Sequence, residues 1–334
     1  MSGSSRLVQL AADGRRAVAI VDEPLLRIIE PHTSAYDLAI DALSAGEPLA
    51  AFIRARVGSH SIAYDDVYHG RTNWRFLPAF DHPADPGRCT VSGTGLTHRR
   101  SVDTRQSMHG AAADVTDSMR MYQLGLEGGR PAAGAIGATP EWFYKGNGLA
   151  LHGHGEPLVA PAWAEDAGEE PEIAGAYVID SKGTPRRVGM AIGNEFADHR
   201  LERRNYLYLA HSKLRVCALG PELVLDPDFS DVHGEVAIER DGDVLWSHPI
   251  RSGDAAMCHS LQNLEHHHFK YEMHRRPGDV HIHFLGADAF SFGAGIELGD
   301  GDIMRIRFDG FGRPLQNPVS FRTGPDTLAQ VQPL

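Results

Sequence analysis

From residue 170 onward the chain reads as a succession of short strands, and this pattern restricts the possible folds more than any other feature. Runs rich in β-branched and aromatic residues fall at 172–180, 186–192, 214–219, 235–240, 280–284 and 303–308. Turn signals such as Lys182-Gly183, Asp241-Gly242 and Asp309-Gly310 separate them. One long helix is expected to interrupt the series over 254–274, with Met257, Leu261, Leu264 and His268 along one stripe. A doubly wound sheet would alternate strands with helices. This series instead predicts a β-rich α+β architecture.

The amino-terminal part reads as strands at 6–11, 17–22 and 25–29, followed by helical stretches from the potential caps Thr33 and Ser34 towards Arg56. A Pro, Asp and Arg-rich passage at 80–88 breaks every regular pattern and is the best candidate linker. The 334 residues are therefore expected to divide into a small α+β domain, 1–85, and a larger catalytic domain, 86–334. Between Ser101 and Gly125, Met108, Ala112, Val115 and Met119 recur at helical spacing and predict one amphipathic helix whose methionines pack into the core.

Composition narrows the function. Apolar residues make up 42% and charged residues 23%, which suits a folded chain with a substantial core. A net charge of -12 repels nucleic acid and anionic membrane surfaces, so neither is an expected partner. Cys89, Cys217 and Cys258 are odd in number and form no C-x-x-C pair, which suits a reducing compartment. With no apolar run of signal or membrane-spanning length, a cytoplasmic protein is expected. The sequence holds no dinucleotide fingerprint, P-loop or G-x-S-x-G elbow. Its 19 histidines, among them His266-His267-His268, His274, His281 and His283, invite a zinc hypothesis. Three consecutive helical histidines point in three directions, however, so structural or surface roles fit them better.

Carboxylates carry the stronger signal. Glu170 and Glu172 are two apart at the opening of an expected strand and so project to one face, where they can converge on a hard cation. Alternating acids on a solvated strand are the competing explanation. The run Gly189-Met190-Ala191-Ile192-Gly193-Asn194-Glu195 then ends a strand in a turn that delivers another carboxylate, with Asp198 and His199 just beyond. Ser212-Lys213-Leu214-Arg215 places a lysine before the next strand.

Together these residues resemble the fumarylacetoacetate hydrolase superfamily, whose metal site has an E-x-E pair, a third acid in a G-N-D-type turn and a downstream lysine. The resemblance spans residues 93–319, including Pro277-Gly278-Asp279-Val280, the Gly299-Asp300-Gly301-Asp302 turn, and the ending from Gly310-Phe311-Gly312 to Asn317-Pro318-Val319. It implies a fumarylacetoacetase C-terminal-like mixed β-sandwich roll, a homodimer, and Mg²⁺, with Mn²⁺ or Ca²⁺ as substitutes, held by Glu170, Glu172 and Glu195. Glu195 stands where the superfamily usually has aspartate, and Asp198 is the alternative third ligand.

Pro140-Glu141-Trp142-Phe143-Tyr144-Lys145 resembles the P-E-x-F-x-K segment of the branch that dehydrates 2-keto-3-deoxy sugar acids. In that branch the acid works beside the substrate and the lysine lies near the pocket. The competing explanation is a core Trp142 and Phe143 with Glu141 and Lys145 as an i, i+4 surface pair. Gly95-Leu96-Thr97-His98-Arg99-Arg100-Ser101 falls where the hydrolases of the superfamily keep a water-activating histidine in a G-L-N-Y-x-x-H-type segment. Ser101 occupies that place here, and its hydroxyl cannot take up and release a proton near neutral pH as imidazole can. His98 is a displaced substitute that would preserve hydrolysis.

The resemblance therefore implies dehydration of a 2-keto-3-deoxypentonate, such as the L-arabinonate derivative, to 2-oxoglutarate semialdehyde in arabinose and sugar acid catabolism. Lys213 and Glu141 are the candidates for proton transfer, and beside Mg²⁺ in a partly dehydrated pocket the Lys213 pKa is expected to be lowered. Arg105, Ser101 and Lys145 are the candidates for substrate binding, with a surface role the alternative for Arg105. An acylpyruvate or 2,4-diketo acid hydrolase, and a catalytically silent sugar acid binding protein, are the competing expectations.

Overall fold

The computed structural model describes residues 4–109 and 116–334. Among them, thirteen strands form one sheet and five form a second. The main path of the large sheet begins with four strands of the amino-terminal part, Val57–Ala63, Leu25–Ile29, Arg15–Asp22 and Arg6–Ala12. It continues through Leu223–Val224, Pro185–Asn194, Pro171–Ile179, Val280–Phe284, Cys89–Gly93 and Phe143–Asn147. Most neighbours run antiparallel, but Val280–Phe284 and Cys89–Gly93 are parallel, so the sheet is mixed. The second sheet runs Asp243–Ser252, Val232–Arg240, Ile303–Phe308, Leu315–Phe321 and Leu158–Ala160.

The strand Pro171–Ile179 is buried at every position. Its alternation splits the core: Ala174, Ala176 and Val178 pack with Leu38, Phe52 and Ile53 of the amino-terminal helices, whereas Ile173 packs with Met190, Val236, Ile306 and Phe308 between the two sheets. A strand covered on both faces accommodates polar groups only where they find partners, so Glu172 within it calls for a specific reason.

The expected strands at 280–284 and 303–308 are present at those bounds. Asp243–Ser252 escaped the sequence pattern because it is a mostly exposed strand containing Pro249, without an apolar alternation. The expected strand at 214–219 shortens to Cys217–Leu219, since Leu214 caps the short helix Leu209–Lys213.

Both long expected helices are corrected. The one expected over 254–274 spans only Leu261–Phe269, because the Ser260 hydroxyl accepts the Asn263 amide and starts the helix there. Met257 lies before that cap, and the chain resumes as a 3₁₀ turn, Glu272–Arg275. The single helix expected across 101–125 is two, Arg99–His109 and Asp117–Gly128. Thr116 is extended (φ -71°, ψ 163°) and its side chain accepts the Met119 amide, so helical geometry cannot run through it. Ala112, Val115 and the side chain of Met108 lie outside the described residues, while Met119 packs beside Leu96, Val102, Tyr122 and Cys258. No helix among the described residues is long and apolar enough to cross a membrane.

Backbone pairing brings the acidic segments together. Gly168 and Ala197 exchange hydrogen bonds of 3.0 and 2.9 Å, and the Glu195 amide donates to the Glu170 carbonyl at 2.9 Å. The E-x-E segment and the turn after Pro185–Asn194 are thereby locked side by side.

Candidate metal centre

Glu170, Glu172 and Glu195 each offer a carboxylate oxygen within 4.8 Å of the others, and all three side chains are buried. The spacing of the E-x-E pair and the turn that follows it therefore do converge. Three buried carboxylates this close repel one another unless cations balance them.

The balance comes from two lysines. Lys213 Nζ lies 2.5 Å from Glu170 Oε1, 2.6 Å from Glu195 Oε2 and 3.4 Å from Glu202 Oε1. Lys145 Nζ lies 2.7 Å from Glu195 Oε1 and donates to the carbonyls of Phe196 (2.5 Å) and Lys213 (3.0 Å). Lys145, expected near the substrate, thus gives two of its three N–H donors to backbone carbonyls and forms an ion pair with Glu195. The surface-pair explanation for Glu141 and Lys145 fails, because both are buried and Lys145 belongs to the strand Phe143–Asn147.

The electrostatics differ from residue to residue. Burial opposes ionisation of Glu170, but Lys213 and His199 overcome it and hold this carboxyl well below its usual range. Burial, reinforced by Glu195 and Glu170, pushes Glu172 well above it. Glu195 is raised to about 7 by burial, which the two lysines offset only in part. Glu172 is thus the least compensated acid of the cluster; among the described residues its Oε2 accepts the Gly286 amide at 2.6 Å and no lysine touches it. A hard divalent cation fits such an oxygen donor set.

The lowering expected for Lys213 belongs to a lysine beside bound Mg²⁺; without a cation the surrounding carboxylates act in the opposite direction. Burial lowers its pKa, but Glu170, Glu195 and Glu202 together raise it well above the ordinary lysine value. The reason is the number of carboxylates around one ammonium, Glu202 at 3.4 Å among them.

Asp198 does not join the cluster. Its Oδ1 accepts the Leu201 amide at 2.9 Å as a helix cap, and Oδ2 accepts the Glu165 amide at 3.0 Å and Arg215 Nη2 at 2.9 Å. Of the two candidates for third acid, Glu195 lies with the pair.

Beside the cluster, Arg105 clamps Glu141 with Nη1 at 3.0 and 3.1 Å from its two oxygens, and Arg105 Nη2 reaches Glu202 at 3.5 Å. Arg105 is therefore no surface arginine. Its helix, Arg99–His109, lays it over residues from two other segments. Glu141 in turn rests on Gly95, where an added Cβ would sit 1.8 Å from Glu141 Oε2. Ser101 Oγ donates to the His98 carbonyl at 3.0 Å within its own helical turn. His98 is buried, shares Nδ1 with Thr97 Oγ1 at 2.8 Å, and is pushed down to about 3 by burial.

Sequence reasoning missed Glu202, Glu169 and Gly286. Glu202 stands three residues after His199 on the helix His199–Arg204, a same-face spacing that signals a shared role. Glu169 is fully buried, with both oxygens accepting Ser291 (amide 2.6 Å, hydroxyl 2.7 Å), and so anchors the segment leading into Glu170. Gly286, with φ +99°, adopts a conformation that favours glycine and brings its amide to Glu172. The histidine group is structural: His268 Nε2 meets His281 Nδ1 at 3.0 Å, and His283 spends its nitrogens on Ser92 and Thr94, both at 2.9 Å.

No protein-family model matches the chain, and no curated protein matches its sequence. Solved structures do match over nearly the whole length. A 2-keto-3-deoxyarabinonate dehydratase is 21% identical, with 96% of this chain and 100% of that one aligned and a TM-score of 0.70. A 2-keto-3-deoxy-D-arabinonate dehydratase complexed with magnesium and 2,5-dioxopentanoate gives the same values. A fumarylacetoacetate hydrolase from psychrophilic Exiguobacterium antarcticum is 17% identical, with 96% and 100% aligned and a TM-score of 0.59. The fold expected from the sequence resemblance, that of the fumarylacetoacetate hydrolase superfamily, is the fold observed.

Proposed function

We propose that this chain dehydrates a 2-keto-3-deoxypentonate, such as the L-arabinonate derivative, to 2-oxoglutarate semialdehyde, with Mg²⁺ held by Glu170, Glu172 and Glu195. The observation that carries the reading is the buried carboxylate triad, crossed by Lys213 on one side, together with Ser101 standing in the place of the hydrolases' histidine and a buried His98 whose Nδ1 meets Thr97 Oγ1 rather than a carboxylate. Support also comes from the shared fold of the dehydratase whose structure holds magnesium and 2,5-dioxopentanoate.

Bound by these carboxylates, the cation would supply Lewis-acid polarisation of the 2-oxo group, which acidifies the C3 protons. The protein's own groups do the rest. Elimination removes one C3 proton and the C4 hydroxyl as water, and a later proton shift from C5 yields the aldehyde. Lys213, an ammonium among three carboxylates, and Glu141, held by Arg105, are the groups that take and deliver these protons. Arg105 is the guanidinium available to a substrate carboxylate or hydroxyl if it loosens its hold on Glu141 and Glu202. Ser101 would assist in orientation. Lys145 pairs with Glu195 and helps hold it in place. A homodimer, a small 2-oxo acid as the sole partner, and a functional boundary at residue 85 belong to the same reading.

The test is a substrate panel. Metal-loaded protein is incubated with 2-keto-3-deoxypentonates and, separately, with 2,4-diketo acids. Aldehyde from the first set alone supports dehydration. Pyruvate from the second set alone makes the chain an acylpyruvate-type hydrolase, with His98 as the candidate base. Ligand-induced thermal stabilisation without turnover makes it a binding protein.

A further inference from the structure

We propose that His199 is a positioning residue of the metal centre: its imidazole orients Glu170 for cation binding, inside a shell built by Asp198, Gly168 and Phe290. The inference rests on the metal-binding reading above and concerns a residue that makes no contact with the substrate in that reading.

The shell is specific at each contact. Asp198 ties together the Leu201 amide, the Glu165 amide and Arg215, which fixes the first residue of the helix His199–Arg204 in space. The His199 side chain is 1% exposed and lies parallel to Phe290, with centroids 4.5 Å apart and planes 7° apart; Phe292 follows at 5.1 Å. Against the ring edge sits Gly168, where a Cβ would be 2.2 Å from Nδ1. Only glycine leaves room for the ring, and Gly168 is itself held by its paired hydrogen bonds with Ala197.

All this packing aims one donor. His199 Nε2 lies 2.9 Å from Glu170 Oε1. An ionised carboxylate only accepts, so Nε2 carries the proton. Lys213 reaches the same oxygen at 2.5 Å, and among the described residues no donor falls on Glu170 Oε2. Two donors on one oxygen fix the carboxylate plane and reserve the other oxygen for a cation. Hydrogen bonds from such outer partners set the orientation of ligating groups, and their loss typically weakens metal affinity by about 10- to 100-fold.

A residue that merely fills space would affect folding alone, so the test reads metal affinity. Mg²⁺ binding is measured by isothermal titration calorimetry for the wild type, His199→Ala, His199→Gln and His199→Asn, with the metal-free melting temperature of each. The expected result is a Kd raised about 10- to 100-fold in His199→Ala, with most of the loss restored in His199→Gln, whose amide nitrogen occupies the Nε2 position. Unchanged affinity in a folded His199→Ala overturns the proposal. If His199→Ala does not fold, the Gln and Asn variants decide: Gln must bind at least about tenfold more tightly than Asn, whose amide reaches only the Nδ1 position, and equal affinities overturn the proposal. A wild type that binds no Mg²⁺ refutes the metal centre itself. A wild type that binds Mg²⁺ while all variants match it refutes only the role of His199.

Discussion

Replacing Gly95 by alanine isolates the contribution of Glu141 without touching a charged group. Gly95 has no left-handed φ, so alanine suits the backbone, but its methyl would stand 1.8 Å from Glu141 Oε2. Reaching an ordinary separation of 3.4 Å requires the carboxylate to retreat by roughly 1.5 Å, and a displacement of that order costs about 10²-fold in rate when the group acts in the chemical step. In activation free energy this is about 2.7 kcal/mol. The same retreat breaks the two-oxygen clamp on Arg105 Nη1, and overpacking adds about 1–3 kcal/mol of lost stability. The assay is kcat and KM on a 2-keto-3-deoxypentonate, with circular dichroism as a check on folding. If the effect runs through Glu141, Gly95→Ala combined with Glu141→Gln loses no more than Glu141→Gln alone. A folded Gly95→Ala enzyme with wild-type kcat, or a double variant with multiplied losses, would refute the reasoning.

Other outcomes follow from the same contacts. Lys213→Met leaves Glu170, Glu195 and Glu202 without their shared cation and is expected to cost about 3–5 kcal/mol in urea unfolding, part of it recovered with saturating Mg²⁺; wild-type stability would contradict the charge account. Glu195→Gln should weaken Mg²⁺ binding far more than Asp198→Asn does, since the Asp198 oxygens serve the Leu201 amide, the Glu165 amide and Arg215; the reverse order in calorimetry would reassign the third ligand. His268, His281 and His283 are buried, and burial pushes His281 down to about 4, His283 to about 3 and His268 well below the usual value. These rings stay neutral when folded but bind protons below about 6.5 when unfolded, so their contribution is full above that pH and is lost as pH falls towards 4. Each contributes a slope of up to about 1.4 kcal/mol per pH unit, and His283→Gln should flatten the fall in stability between pH 6.5 and 4; an unaltered slope would count against this.

Much of the site was legible because spacing alone determines it. Glu170 and Glu172 must share a face if the strand forms, and the Glu195 turn follows a strand that pairs with theirs. What spacing cannot show is direction. Glu195 and Asp198 are three residues apart in one turn, and only the backbone path decides that one faces the cluster while the other caps a helix. The environment of Lys213 depends on a related detail: without a cation its pKa follows how many carboxylates surround it, and Glu202, three residues after His199, reaches it from the helix His199–Arg204. Lys145 likewise lies in the P-E-x-F-x-K segment, yet two of its donors go to backbone carbonyls and its charge pairs with Glu195. The helix boundaries failed where a single Ser260 or Thr116 side chain outcompeted a continuing apolar stripe.

The central claim is tested most directly by following a 2-keto-3-deoxypentonate by NMR with EDTA-treated protein while Mg²⁺ is titrated back. Metal-dependent appearance of 2-oxoglutarate semialdehyde, abolished in Glu172→Ala, is the result expected. Unchanged substrate at saturating Mg²⁺, or full turnover in the Glu172→Ala variant, would contradict it.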